Sequence, residues 1–433
     1  MTPRRSAGER LELFAEFVAT PRFNRALTVT ILTFAFAAHA VRALVGWPGA
    51  IAILVALDVL AAVSLYGQRA RIEWRGLLPI SLLAFFTWIG LSVLWSEYTW
   101  STIGGVAYAA AFGLLGIYLA LGRDLIQVVR GTGDALRALL LVSLALEVVS
   151  GLLLDTRIPF LGIAGNLAAG GPIQGVAGTR NYLGFLALLA AVTFFVEYLT
   201  RSVSRNLAVL SLTAALTTIA LTRSPVTIAS AVVLALAILA LAALRRSRGE
   251  VRRWTQVGLG AAVLLLAGIA WASRRPLAQM LNAASEIEYR VDLWSRMNER
   301  LGENAIQGLG WVGPWPVLVE PFRTLGLEVG RVQATGLSAI SDTVLQVGVF
   351  GLLILVTAGG LAFWRSWVLA STQRTKAYIW PALVLLLLGS TSFVESYLLA
   401  EGGLLLLVTI ATSAAHRLSW RHRLPPADGP AGG

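Results

Sequence analysis

The feature that most constrains this chain is its succession of long apolar runs. A helix of about 20 apolar residues crosses the ~30 Å hydrocarbon core of a bilayer. Twelve such stretches are predicted, at 25–44, 49–66, 77–95, 102–121, 134–154, 182–199, 207–222, 226–244, 255–272, 343–364, 377–394 and 398–415. With 57% hydrophobic and 13% charged residues, the chain cannot remain soluble as a globular protein. We predict an all-α polytopic membrane protein with about twelve transmembrane helices.

The basic residues predict how these helices are oriented. Arginines cluster before the first stretch, in every second connection, including RRSRGEVRR at 245–253, and after the last stretch. Such clusters mark the cytoplasmic side, so both termini are predicted to be cytoplasmic. The formal net charge of +12 is therefore a topology signal, and no nucleic-acid partner is predicted. We expect a cytoplasmic segment at 1–24 and a disordered cytoplasmic tail at 416–433.

The predicted outer face carries the longer connections. Helices one to nine occupy 25–272, a large outer loop follows at 273–342, and the last three helices occupy 343–415. A second outer connection runs from 155 to 181, whereas the cytoplasmic connections are short. The chain has no cysteine and three histidines, which excludes disulfides, thiolate metal sites and most histidine-based metal sites. We predict that any chemistry occurs at the outer membrane surface.

One arginine in the large loop stands where an apolar residue is expected. On a helical wheel, residues 286–303 form an amphipathic helix whose apolar arc holds Ile287, Val291, Trp294, Met297 and Leu301. Arg290 falls inside this arc. Amphipathic helices of this kind also serve as plain interfacial anchors. The next segment, GLGWVGPW at 308–315, lacks the residues of a phosphate loop, and we interpret it as a tight turn near the bilayer.

Three arginines lie close to the membrane on the predicted outer side. They are Arg180 in GTRNYLGF, Arg223 in the turn LTRSPV, and Arg290. An arginine within a membrane costs about 2.5 kcal/mol or more on insertion scales, and its planar group of donors fits two phosphate oxygens. Each arginine alone is also explained by snorkelling to lipid headgroups. Together they predict a site for a diphosphate.

Two carboxylates are the predicted catalytic bases. Asp342 and Glu395 are expected at the outer ends of the tenth and eleventh helices, where partial burial raises a carboxyl pKa toward neutrality. Each is alternatively a capping or pairing residue. Asp58, Glu147 and Glu197 lie within predicted helices and are expected to line the bundle or pair.

Five segments together resemble the O-antigen ligase and O-antigen polymerase family. They are LSVLWSEYTW (91–100), GVAGTRNYLGFLALL (175–189), LTRSPVTIAS (221–230), YRVDLWSRMNERLGENAIQGLGW (289–311) and TVLQVGVFGLL (343–353). These membrane glycosyltransferases act on glycans linked to polyprenyl (undecaprenyl) diphosphate at the outer face of the bacterial cytoplasmic membrane, in cell-envelope polysaccharide biosynthesis. The segments occur in the family's order and span about 260 residues.

The resemblance implies a C-type glycosyltransferase-like bundle of twelve helices that works without a metal, and no cofactor is predicted. It also implies a lipid-linked glycan donor, a glycan or lipid-linked acceptor, and diphosphate binding by Arg223 and Arg290, with Arg180 beside them. One departure affects the mechanism. The ligases have a histidine before the tenth helix, where this chain has Leu337 and Ser338. Three explanations stay open: Asp342 replaces that histidine, the chain is a polymerase-type relative, or it is not catalytic.

Two other classes remain to be distinguished. A polytopic transporter or a flippase for lipid-linked glycans also needs arginines for diphosphates, but it predicts functional groups near the midplane or on both faces. The glycosyltransferases that use dolichol-phosphate sugars need an acidic pair in the first outer loop. That loop, VGWPGA at 45–50, has no carboxylate.

Overall fold

The computed structural model describes residues 20–70, 78–247, 249–273, 276, 279–280, 283–328 and 334–417. Within these ranges the chain is helical, with no β-strand beyond an isolated bridge between Ile158 and Ile163. Its α-helices are α1 (Pro21–Phe36), α2 (Ala38–Gly67), α3 (Ile80–Leu91), α4 (Thr99–Gly122), α5 (Leu125–Val148), α6 (Arg180–Thr200), α7 (Arg205–Thr222), α8 (Pro225–Arg246), α9 (Gly249–Ala272), α10 (Ala284–Leu301), α11 (Phe322–Glu328), α12 (Ala339–Thr372), α13 (Ile379–Thr391) and α14 (Glu401–Arg417). Most of the predicted segments 1–24 and 416–433, and parts of the loop 273–342, lie outside the described residues.

The length and composition of the helices agree with an α-helical polytopic membrane protein. Among the described residues, seven helices are long and apolar enough to cross a membrane: α2, α4, α5 with its continuation to Leu153, α6, α7, α8 and α12. Three shorter apolar helices occupy Ile80–Leu94, Lys376–Thr391 and Glu401–His416. Every predicted apolar stretch overlaps at least one helix. The number of twelve spans stays a prediction.

The first two predicted stretches have different boundaries in the structure. Helix α1 ends at Phe36, and α2 begins two residues later, within the predicted first span. Gly46 then interrupts α2 with φ 69° and ψ 178°. Glycine adopts this conformation without steric cost, and Pro48 has no backbone N–H to bond to the turn before it. The break therefore falls within the predicted connection 45–50.

Helix α6 is the most buried of the candidate spans. In its most apolar window 72% of the residues are buried, compared with 28% in α7 and α8. It packs against α5, α7, α8 and α13. The peripheral helices expose large apolar side chains, such as Val59 on α2 and Leu239 on α8. Apolar surfaces of this kind are stable against lipid.

Helix α12 is broken near its start, and a loop segment fills the break. Val347 and Gly348 leave helical geometry, with Gly348 at φ 70°. The carbonyls of Leu345 and Gln346 accept hydrogen bonds from the backbone of Leu309 and Gly310, at 2.9 and 2.8 Å. A broken helix is tolerated at membrane depth when protein groups satisfy its backbone. The segment 308–315 thus packs on α12 and includes the fully buried Trp311.

Helix α10 confirms a helix over most of 286–303, and the side that it packs against the protein differs from the predicted apolar arc. The buried side chains are Arg290, Leu293, Met297 and Leu301, whereas Ile287 and Val291 are 45% and 54% exposed. Leu293 and Met297 pack with Trp315, Phe322 and Leu345 in a separate small core. Because Leu293 packs into this core, the buried face of α10 is rotated toward Leu293 relative to the predicted apolar arc. A helical wheel does not show which residues pack against distant segments.

Candidate functional site

The first turn of α6 presents two side chains of the site. Thr179 caps this helix, because its Oγ1 accepts a hydrogen bond from the backbone N–H of Tyr182 at 3.2 Å. The cap fixes Arg180 and Asn181 as the first two residues of the helix. The Arg180 guanidinium forms an ion pair with Glu286 in the first turn of α10. The predicted connection 155–181 and the predicted loop 273–342 therefore meet here.

Arg290 is buried and uses all three of its guanidinium nitrogens. Its Nε donates to the carbonyl of Val394 at 3.2 Å, and its Nη2 donates to Glu395 Oε1 at 2.9 Å. Its Nη1 lies 3.4 Å from Glu286 Oε2 and 3.4 Å from the Glu286 carbonyl. The charge on the inner face of α10 is therefore paired with two carboxylates.

Asn181 joins this ion-pair chain to the start of α8. Its amide Nδ2 donates to Glu395 Oε1 at 2.7 Å, and its Oδ1 accepts a bond from the Ser224 hydroxyl at 2.7 Å. Ser224 caps α8 by accepting from the N–H of Thr227 at 3.2 Å. We call the connected side chains Arg180, Asn181, Ser224, Glu286, Arg290 and Glu395 the Arg290 network.

Arg223 lies next to this network in the tight turn between α7 and α8. It ends α7 in the left-handed region, at φ 46°. Its side chain is exposed, and the described residues give it no ion pair. The guanidinium points toward the turn at Gly170, where an added Cβ would lie 3.5 Å from Nη2. Arg180 and Arg290 thus contact the same carboxylate, that of Glu286. The backbone of Arg223 lies next to the network, but its guanidinium makes no contact with it.

Glu395 is a buried carboxyl, 5% exposed, in the connection that follows α13. Burial raises the pKa of Glu395, although the Arg290 guanidinium and the Asn181 amide act in the opposite direction. Glu395 follows α13, which overlaps the eleventh predicted apolar stretch, and its position on the outer side stays a prediction. Its predicted role as a base stays a prediction.

Asp342 lies in the first turn of α12 and is enclosed by donors. Its Oδ1 accepts from the Trp315 indole at 2.7 Å and from the Gln346 amide at 2.9 Å. Its Oδ2 accepts from the backbone N–H of Gly336 at 3.1 Å. Asp342 is 1% exposed. This geometry favours a role in holding the segment around Trp315 against α12, the pairing role that the sequence left open.

The residues at the position of the ligase histidine have structural contacts. Leu337 adopts φ 50°, and Ser338 caps α12 by accepting a bond from the N–H of Ser341 at 3.3 Å. The Ser338 hydroxyl also donates to the carbonyl of Ser392 at 3.2 Å. This contact ties the start of α12 to the connection that carries Glu395.

A second polar cluster includes the first residue of α14. Sequence reasoning missed this cluster. Arg42 of α2 forms an ion pair with Glu401, the first residue of α14, and lies 4.8 Å from the ring centroid of Trp47. The Tyr108 hydroxyl donates to Glu401 Oε1 at 3.1 Å. Arg42 and Glu401 are charged residues inside predicted apolar stretches, and that is the signal that could have revealed them.

Two of the three carboxylates that lie within predicted helices, Glu147 and Glu197, have partners in the structure. Glu147 Oε1 accepts bonds from the backbone N–H groups of Gln174 and Gly175, at 2.7 and 2.8 Å. Glu197 forms an ion pair with Arg137. Across the described ranges, no three histidine or acidic side chains are grouped as metal ligands.

Direct hydrogen bonds connect three of the five sequence segments that carry the resemblance, and they connect the other two segments to each other. The backbone N–H of Trp311 donates to Ser92 Oγ at 3.0 Å, and that of Gly310 donates to the Gln346 carbonyl at 2.8 Å. Asn181 and Ser224 connect two further segments. No protein-family model matches the chain, and no curated protein matches it.

Proposed function

We propose that this protein is a membrane glycosyltransferase of the O-antigen ligase or polymerase type. It transfers or polymerises a glycan from a polyprenyl-diphosphate carrier at the outer face of the bacterial cytoplasmic membrane. The observation that carries the proposal is the convergence of Arg180 and Arg290 on the single carboxylate of Glu286. A position between two guanidinium groups that holds one anion is suited to another anion, such as a diphosphate.

The arginines act on the leaving group in this reaction. The acceptor hydroxyl oxygen attacks the anomeric carbon, the bond from that carbon to the diphosphate oxygen breaks, and the electron pair leaves with the diphosphate. Guanidinium groups placed beforehand stabilise the charge that grows there. Arg180 and Arg290 bind the diphosphate in this proposal. Arg223 joins them when its exposed side chain turns from Gly170 toward the Arg290 network.

Glu395 is the better placed of the two proposed bases. It takes the proton of the attacking hydroxyl, and its raised pKa suits proton transfer nearer neutral pH. It also lies directly against Arg290 at 2.9 Å. Asp342 holds the segment around Trp315, since three donors enclose its carboxylate.

The proposal includes a topology of twelve spans with both termini cytoplasmic. It is supported by the alternation of arginine-rich connections along the chain. With that orientation, the first turns of α6, α10, α12 and α14 all lie at the outer surface. The Arg290 network then faces the side where lipid-linked glycans are used.

Transfer assays on arginine variants test the proposal. Arg290→Ala and Arg223→Ala in purified membranes are expected to lower glycan transfer from a lipid-diphosphate donor about 100-fold or more. Arg290→Lys keeps the charge but cannot reach both carboxylates, so it should also be strongly impaired. Arg157→Ala is the matched control, because Arg157 is an exposed arginine of the predicted connection 155–181. Normal activity of both alanine variants would contradict diphosphate binding by these arginines.

Surface polysaccharide from a deletion strain distinguishes the two reaction types. Loss of long chains with single repeats retained indicates a polymerase. Complete loss of glycan from the final carrier indicates a ligase.

A transporter or lipid-linked-glycan flippase is the alternative function. The break in α12 favours it, because discontinuous helices line the substrate sites of many transporters. In this chain, however, residues 309 and 310 occupy the carbonyls freed by the break. Movement of the lipid-linked glycan across the membrane without a new glycosidic bond would support the alternative.

A further inference from the structure

Glu286 lies between Arg180 and Arg290 and contacts both guanidinium groups. One of its carboxylate oxygens pairs with each guanidinium. A carboxylate and a phosphate both present two oxygens to such donors. In the structure, the acid on α10 therefore fills the place that the proposed function gives to a diphosphate.

Exposure decides which part of the network can exchange. Side-chain exposure is 30% for Arg180 and 27% for Glu286, but 8% for Arg290 and 6% for Glu395. The pair between Arg180 and Glu286 is thus open to solvent, while the pair between Arg290 and Glu395 is enclosed. An entering anion can displace Glu286 and leave the inner pair intact.

The charge of the entering anion decides whether displacement is favourable. Glu286 is tethered four residues before Arg290 on the same helix, so its effective concentration at the site is high. A phospholipid headgroup with one negative phosphate brings no more charge than Glu286 and must compete with this tethered group. A diphosphate that links a glycan to a lipid brings two negative charges, which interact more strongly with the two arginines.

We propose that Glu286 is the specificity-determining residue of this site, admitting lipid diphosphates and excluding the single phosphates of bulk phospholipids. The inference rests on the proposed function. It addresses a physical problem that the function raises, because arginines at a membrane surface attract anionic headgroups, which outnumber any lipid-linked glycan.

Binding of geranylgeranyl diphosphate to the full-length protein in nanodiscs tests this inference. One set of discs contains only phosphatidylcholine, and the other contains phosphatidylglycerol as well. In phosphatidylcholine, Glu286→Gln is expected to bind the probe roughly fivefold more tightly than the wild type, because one competing charge is lost. In phosphatidylglycerol discs this gain should disappear, since headgroups now occupy the arginines.

Glu288→Gln is the matched control. It removes an exposed acid from the same helix, and it reports how the anionic membrane surface alone changes probe binding. Glu286→Asp, which keeps the charge with a shorter reach, should fall between the wild type and Glu286→Gln. It also provides a second test if the glutamine variant does not fold.

The outcomes separate this inference from the proposed function. If wild type binds the probe and Glu286→Gln responds to phosphatidylglycerol as Glu288→Gln does, the specificity role is wrong and the diphosphate site stands. If neither the wild type nor any variant binds the probe, the diphosphate site and the specificity role are both wrong.

Discussion

Two ion-pair networks in this molecule have the same order of charges but different surroundings. The second, which we call the Arg137 network, links Arg25, Asp134, Arg137 and Glu197. In both networks a more exposed arginine and a less exposed arginine share one partly exposed acid, and the less exposed arginine also pairs with a buried glutamate. Side-chain exposure falls from 62% at Arg25 to 0% at Glu197, and from 30% at Arg180 to 6% at Glu395.

The difference lies in the elements that carry the charges. All four charged residues of the Arg137 network belong to the regular helices α1, α5 and α6. Arg137 is further fixed by Ser211 Oγ at 2.8 Å and by the Phe194 ring at 4.9 Å. Most members of the Arg290 network lie in the first turns of α6 and α10, in the turn between α7 and α8, and in the connection after α13. We therefore expect partner exchange in the Arg290 network and not in the Arg137 network, because connections open more readily than packed helices.

The largest expected effect comes from breaking the Arg137 network. Arg137→Leu leaves the fully buried Glu197 without its ion-pair partner, which should cost about 3–5 kcal/mol of stability. The measurement is the thermal unfolding of purified protein, with glycan transfer per folded molecule expected to remain normal. The double variant Arg137→Leu/Glu197→Leu should recover most of the stability. Full stability combined with lost transfer in Arg137→Leu would instead give this network a functional role.

A smaller stability effect and a large activity effect are expected for Asn181→Leu. Leucine removes the bonds to both Glu395 and Ser224, so the stability loss should be about 1–3 kcal/mol. Misplacement of Arg290 and of the turn at Arg223 should lower glycan transfer about 100-fold. Asn206→Leu, at an exposed site on α7, is the control. Equal transfer by the two variants would show that the Arg290 network does not need this link.

The smallest expected effect is that of Asp134→Asn on lipid selectivity. Asp134 bridges Arg25 and Arg137 as Glu286 bridges Arg180 and Arg290. If only the Arg290 network binds lipid diphosphates, this variant should match the wild type in probe binding in both types of nanodisc. A response to phosphatidylglycerol equal to that of Glu286→Gln would erase the functional contrast between the networks.

Much of the candidate site was predictable because its residues break local patterns. Arg290 stands out on an apolar helical face, and Arg180 and Arg223 are basic residues against the predicted charge bias. Their partners carry no such signal. Glu286 is one acid among several on α10, and Glu395 lies 105 positions from Arg290. Local periodicity contains no information about which of these carboxylates an arginine meets.

The sequence by itself determined the helices, because apolar runs in lipid must satisfy every backbone group internally and their lengths set where this occurs. The tertiary structure alone decided which charges meet and which face of α10 is buried. Those outcomes depend on packing between segments far apart in the chain, such as Leu293 beside Trp315 and Asn181 beside Ser224. The sequence shows where each charged residue lies along the chain, but only the folded helix bundle determines which residue it pairs with.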